Sequence, residues 1–79
     1  MAPDDRPSYR IYSPATLASA LKDFRIARGL TQAELASAVR GHRQYVSDLE
    51  RAQFSEQVER ILEILERLGV RMTLTLEEA

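Results

Sequence analysis

Residues 30–51 read Leu-Thr-Gln-Ala-Glu-Leu-Ala-Ser-Ala-Val-Arg-Gly-His-Arg-Gln-Tyr-Val-Ser-Asp-Leu-Glu-Arg, and this stretch decides the fold. Thr31 with Glu34 three residues on is a capping box, in which each side chain satisfies the other residue's backbone N–H, so a helix starts there. Leu35, Ala36 and Val39 give it a short apolar face. The Arg40-Gly41 pair then breaks it, and a second apolar pattern resumes at Tyr45, Val46 and Leu49. The expectation is two short helices joined by a tight turn.

Upstream, Ser13-Pro14 is a helix start, because the hydroxyl caps open N–H groups and proline at the first helical position sacrifices no hydrogen bond. Leu17, Ala20, Leu21, Phe24 and Ala27 recur at helical spacing until Gly29 ends the turn. Downstream, Ser55 caps a further helix with the apolar face Val58, Ile61, Leu62, Leu65 and Leu68. Glu56/Arg60 and Glu63/Arg67 stand at supporting i, i+4 spacing, and Gly69 closes the helix. Val70, Met72, Leu74 and Leu76 then alternate with polar residues, which is the period of a half-buried strand. A lone strand leaves its backbone unsatisfied. The expected solution is antiparallel pairing with the same strand of a second molecule, giving a two-fold dimer with an intermolecular sheet. The alternative is pairing with the chain's own Tyr9-Arg10-Ile11-Tyr12. This divides the chain into a mobile arm at 1–12, a helical domain at 13–69, and a dimerisation strand with C-terminus at 70–79. The arm has no apolar stretch of the kind a signal peptide needs, so a cytoplasmic protein is expected.

Composition narrows the function classes. A hydrophobic fraction of 44% with 29% charged residues is that of an ordinary globular domain without a membrane span. With no cysteine and a single histidine, disulfides, thiol nucleophiles and cysteine or histidine metal clusters are excluded, and no cofactor is expected. Catalysis is not expected either. Glu59, Glu63 and Glu66 lie along one helix, but no nucleophile or phosphate-cradling glycine loop accompanies them. The net charge of −1 hides an asymmetry: eight bases face six acids through Gln53, and three bases face six acids beyond it. A basic first half and an acidic second half imply two functional faces.

Two short helices joined by a tight turn form the helix-turn-helix motif. Leu30 to Ala36 followed by Val46-Ser47-Asp48-Leu49-Glu50-Arg51 resembles the Xre-type DNA-binding domain of lambdoid phage repressors, over about Leu17 to Leu68. With Ile11-Tyr12-Ser13-Pro14 before and Val70-Arg71-Met72-Thr73-Leu74 after, the chain is most similar to HipB-type antitoxins. The resemblance implies a mostly α, four- or five-helix lambda-repressor-like domain. It also implies a homodimer held by Val70, Met72, Leu74 and Leu76, located in the cytoplasm at the nucleoid. Members of that group repress their own operon at an inverted repeat of double-stranded operator DNA and bind a HipA-like serine/threonine kinase toxin. A family ion pair carries over onto Arg25 and Glu50. His42, Arg43, Gln44 and Ser47 stand where the second motif helix meets base edges. Gln32 matches a family glutamine that hydrogen-bonds phosphate, and Arg28, Arg40 and Tyr45 are further phosphate candidates. Arg40 replaces the family's turn glycine and Gly41 its apolar residue, which predicts a shifted or looser turn. Asp48 has two readings, acceptance from cytosine N4 or an ion pair with a neighbour such as Arg51. The competing function is a module that holds a partner protein through the acidic last helix, with weak or no specific DNA binding.

Overall fold

The computed structural model describes residues 8–77. In chain order the elements are β1 (Ser8–Ile11), α1 (Pro14–Ala27), α2 (Gln32–Ala38), α3 (Arg43–Glu50), α4 (Glu56–Arg67) and β2 (Met72–Thr75). The mostly helical architecture is the one expected, with four helices and a strand after the last.

Each helix starts where a side chain answers its open N–H groups. The Ser13 hydroxyl accepts from the Thr16 N–H, the Thr31 hydroxyl from Glu34, and the Ser55 hydroxyl from Val58. His42 precedes α3 without a side-chain cap. All four helices end alike, with the backbone N–H three residues beyond the last helical one bonding back to the carbonyl three residues before that helix's C-cap. These bonds are Leu30 to Arg25, Gly41 to Ala36, Gln53 to Asp48 and Val70 to Leu65, at 2.8–3.1 Å. This closure demands a left-handed residue just before the bonding N–H. Gly29 and Gly69 supply it at φ 70°, whereas Arg40 and Ala52 adopt φ 57° and 63°. The turn between α2 and α3 closes with the same backbone bond as the other helix ends, at 2.8 Å. Arg40 takes the glycine's conformation, and the hydrogen bonds it completes hold it there.

Among the described residues the buried apolar ones are Ile11, Ala18, Ala20, Ala36 and Val46. Three of the five are alanines, so the helices pack by close backbone approach. Ala36, 2% exposed, lies where α2 meets α3, and Val46 at 4% anchors α3 inward. Leu17, Leu21 and Phe24 are half-buried with them, but Ala27 and Val39, read as core, are exposed. The α4 face divides: Val58, Leu62 and Leu65 are half-buried, while Ile61 and Leu68 stand outside.

The strand expected near the C-terminus is present, and its neighbour is the alternative one, the chain's own N-terminal segment, in place of a second molecule. β2 pairs antiparallel with β1 of the same chain, Tyr9 opposite Leu74 and Ile11 opposite Met72. Residues 8–11 thus belong to the fold and not to an arm, while residues 1–7 of that segment lie outside the described residues. The reason is tethering. β1 joins α1 through two residues, and the Tyr9 ring packs edge-on against Phe24 of α1 with centroids 5.3 Å apart. The Tyr9 hydroxyl also donates to the Asp23 carboxylate, which raises the phenol's pKa. A strand held this way is presented to β2 at high effective concentration, which a second molecule must match by association. Met72, Leu74 and Leu76 are half-buried within their own chain, and among the strand residues expected to hold a dimer only Val70 is exposed. No helix of the described residues is long and apolar enough to cross a membrane.

A left-handed non-glycine residue costs roughly 1–2 kcal/mol. Arg40→Gly and Ala52→Gly are each expected to raise stability by about 1 kcal/mol, a gain of about 4–8 °C in Tm for a domain of this size. Gly69→Ala should move it the other way. Thermal unfolding followed by circular dichroism checks all three.

Candidate nucleic-acid interface

One polar network fixes the three helices that carry the candidate face. Arg25, in the last turn of α1, donates from Nε to Glu50 Oε2 at 2.6 Å and from Nη2 to Oε1 at 3.1 Å. Its Nη1 donates to the Leu30 carbonyl at 2.7 Å, tying the α1–α2 turn into the same fork. Gln32, the first residue of α2, donates from Nε2 to Glu50 Oε1 at 3.1 Å. The Arg25 and Glu50 side chains are 12% and 5% exposed, so this expected ion pair is largely shielded from water. The Arg25 hydrogen bond holds the Glu50 carboxyl below its ordinary pKa, with partial burial opposing and Gln32 adding to the lowering. Every buried side-chain nitrogen and oxygen among the described residues has a partner.

With Glu50 anchored at its end, α3 turns Val46 and Leu49 inward. At 100° per residue the opposite side carries Gln44, Ser47 and Asp48, with Arg43 at its edge about 60° from Val46. His42, Arg43 and Gln44 are exposed and Ser47 is half-buried. Because His42 contributes no side-chain cap, the Arg43 and Gln44 N–H groups have no partner inside the helix. At the start of α2, the Thr31 cap occupies the Glu34 N–H and leaves those of Gln32 and Ala33 without a partner inside the helix. An amide nitrogen has two hydrogens, so Gln32 keeps one donor beyond its bond to Glu50. Gln32, Ala33 and Arg43 line one shallow groove, which brings the two helix starts together.

The other candidates are placed differently. The Arg28 guanidinium donates to the backbone carbonyl of Glu77, tying the end of α1 to the segment after β2. Arg40 is exposed in the turn, and Tyr45, 57% exposed, lies beside Gly41, where an added methyl group would meet its ring at 3.6 Å. Asp48 follows the ion-pair reading. It accepts from Gln44 Nε2 at 2.8 Å and from Arg51 Nη2 at 2.6 Å, and these bonds lower its pKa, that to Gln44 most. Gln44 is thereby held along its own helix by Asp48. Sequence reasoning missed this restraint, although the i, i+4 spacing of Gln44 and Asp48 signals it. It also missed the link from Gln32 to Glu50, which joins residues eighteen apart in sequence and has no local signature.

A family model described as helix-turn-helix matches residues 21–74. Neither a curated protein nor a solved structure matches the chain.

The lowered pKa of Glu50 sets part of the acid stability. The unfolded chain, with this group near 4.5, takes up a proton before the folded chain does. The stability from the ion pair is thus present above about pH 4.5 and is lost as pH falls through the lower folded value. Glu50→Gln is expected to lower the urea midpoint strongly at pH 7 and to flatten its decline between pH 5 and pH 3, read from unfolding curves at both ends.

Proposed function

Because the chain belongs to the helix-turn-helix family of DNA-binding transcription regulators, we propose that it is a sequence-specific repressor that binds operator DNA as a homodimer across an inverted repeat. The observation that carries this reading is the pair of open helix starts in one groove, Gln32 and Ala33 on α2 and Arg43 on α3. α3 lies in the major groove, led by its N-terminal residues. Arg43 has no ion-pair partner among the described residues and forks onto guanine O6 and N7. Gln44 turns from Asp48 to meet adenine N6 and N7, each such contact being worth roughly 1–3 kcal/mol of discrimination. His42 and Ser47 border these two. The free Gln32 donor and the Gln32 and Ala33 N–H groups receive a phosphate, where the α2 dipole favours the negative charge. Arg40 and Tyr45, beside the turn, reach flanking backbone. Arg28, held by Glu77, is the weakest of the phosphate candidates.

Within the family the reading extends to a HipB-like antitoxin that represses its own operon and neutralises a HipA-like kinase. Support comes from Ile11-Tyr12-Ser13-Pro14 and Val70 to Leu74, the flanks that resemble that group and that contribute to β1 and β2. A second reading, a protein-holding module, is favoured by the exposed acidic side of α4, with Glu59, Glu63 and Glu66.

Selection from randomised duplex DNA at physiological salt is expected to enrich an inverted repeat with half-sites about one helical turn apart. Arg43→Ala should relax one position per half-site, and Asp48→Asn should raise affinity across all sequences by removing a carboxylate near the phosphates. An unenriched pool, with binding only at low salt, contradicts the repressor reading and favours the protein-holding one.

A further inference from the structure

Asp48 stands on the side of α3 that the reading above turns toward DNA, where an unmatched negative charge would repel the phosphates. It is matched. Arg51 Nη2 donates to Asp48 Oδ1 at 2.6 Å, and Gln44 Nε2 donates to the same oxygen at 2.8 Å. The Asp48 side chain is 34% exposed and Gln44 is exposed, so the pair lies at the surface and adds nothing to the core.

The Gln44 bond has a direction. An ionised carboxylate has no hydrogen to give, whereas a carboxamide has one donating end and one accepting end. Gln44 therefore meets Asp48 only through its NH2 group, since the flipped amide would set oxygen against oxygen. The bonds from Gln44 and Arg51 hold Asp48 below its ordinary pKa, so it stays ionised at neutral pH and the direction does not reverse. With Nε2 held one turn along the helix, Oε1 is the end of the amide left open. One hydrogen remains on Nε2, but it lies beside a negative charge that attracts amines and repels carbonyl oxygens.

We infer that Asp48 is a positioning residue for base readout: by holding the NH2 end of Gln44, it makes Gln44 a reader of the exocyclic amine of its base pair and not of the carbonyl oxygen; this rests on the groove reading of α3 proposed above. Every base pair offers the major groove one amine, adenine N6 or cytosine N4, and one carbonyl oxygen, thymine O4 or guanine O6, on opposite strands. An amide free to flip meets either, so Gln44 alone would tell a base pair poorly from its reverse. Held by Asp48, it accepts from the amine with Oε1 leading, and at adenine the turn toward N7 adds the second bond. Arg51 keeps Asp48 satisfied during that turn, so no charge is stranded. A carbonyl oxygen in the same place faces Oε1 and the Asp48 charge. To meet it, Gln44 must flip and exchange a charge-assisted bond for a neutral one of about half the strength.

Selection from randomised duplexes with the wild type and with Gln44→Ala locates the base pair that Gln44 reads, as the position whose preference the variant loses. Binding by the full chain is then followed by fluorescence anisotropy at physiological salt, on the selected duplex and on one with that pair reversed. The wild type is expected to favour the selected orientation by about fivefold or more, as a well-aligned contact provides. Asp48→Ala frees the amide, and Asp48→Asn offers it a donor or an acceptor alike. Both should bring the ratio below about twofold while keeping the rest of the selected sequence. Arg51→Ala leaves the Gln44 bond in place, so it should keep the ratio whatever it does to overall affinity. A base analogue with hydrogen in place of the amine should weaken the wild type and leave Gln44→Ala unmoved. A ratio unchanged in both Asp48 variants, a wild type indifferent to the amine, or a Gln44→Ala pool identical to that of the wild type overturns the inference and leaves the repressor reading standing. An unenriched wild-type pool overturns both.

Discussion

The Arg25 guanidinium sets the geometry on which the candidate face depends. Its fork grips Glu50 at the end of α3 and the Leu30 carbonyl before α2, and Glu50 in turn accepts from Gln32 at the start of α2. Three helix termini converge on one carboxylate. Removing either charge leaves the other shielded from water with no counter-ion, which is why such pairs are costly to break singly even where an apolar replacement of both would be tolerated. Fixing the end of α3 also fixes its start. Val46 packs inward, Arg43 and Gln44 stand outward, and the helix projects its uncapped N–H groups beside the open ones of α2.

The turn between those helices illustrates how tertiary demand overrides residue preference. Arg40 and Ala52 occupy left-handed positions that glycine fills at the ends of α1 and α4. The backbone bonds of the four closures are alike in length, so the strain at Arg40 and Ala52 is held without loosening the motif. The helix-turn-helix thus carries two strained residues at the ends of its own two helices, while the helices outside it end on glycine.

Much of this was legible in sequence because it is local. Thr31 with Glu34, Ser13-Pro14, Ser55, Gly29 and Gly69 mark helix ends through contacts a few residues apart, and each mark matches an observed terminus. What escaped depends on the third dimension. Val39 has the spacing of a core residue but stands 59% exposed beside the turn, because α2 ends one residue before it. Ala18 is buried although its neighbour Leu17 fits the apolar period better, since close helix approach favours a methyl group. β1 was legible only as the alternative partner of the C-terminal strand, because four residues with only Tyr9 and Ile11 facing inward are too short a pattern to outweigh the two prolines before them. At the candidate site the exposed residues were readable by position, whereas the restraint of Gln32 by Glu50 needed three helices in place.

Charge is unevenly divided between the two halves of the chain. The basic first half presents α2 and α3, and the acidic second half presents α4 with its exposed apolar residues. The central claim is that nucleic acid meets the starts of α2 and α3. Amide chemical shifts of the isotope-labelled protein, followed while a selected duplex is added at physiological salt, test it most directly. The account predicts that the largest changes fall on Gln32, Ala33, Arg43, Gln44 and Ser47, with the Asp23 and Phe24 amides of α1 little moved. Changes centred on α4 and β2, with those five amides unmoved, would contradict it.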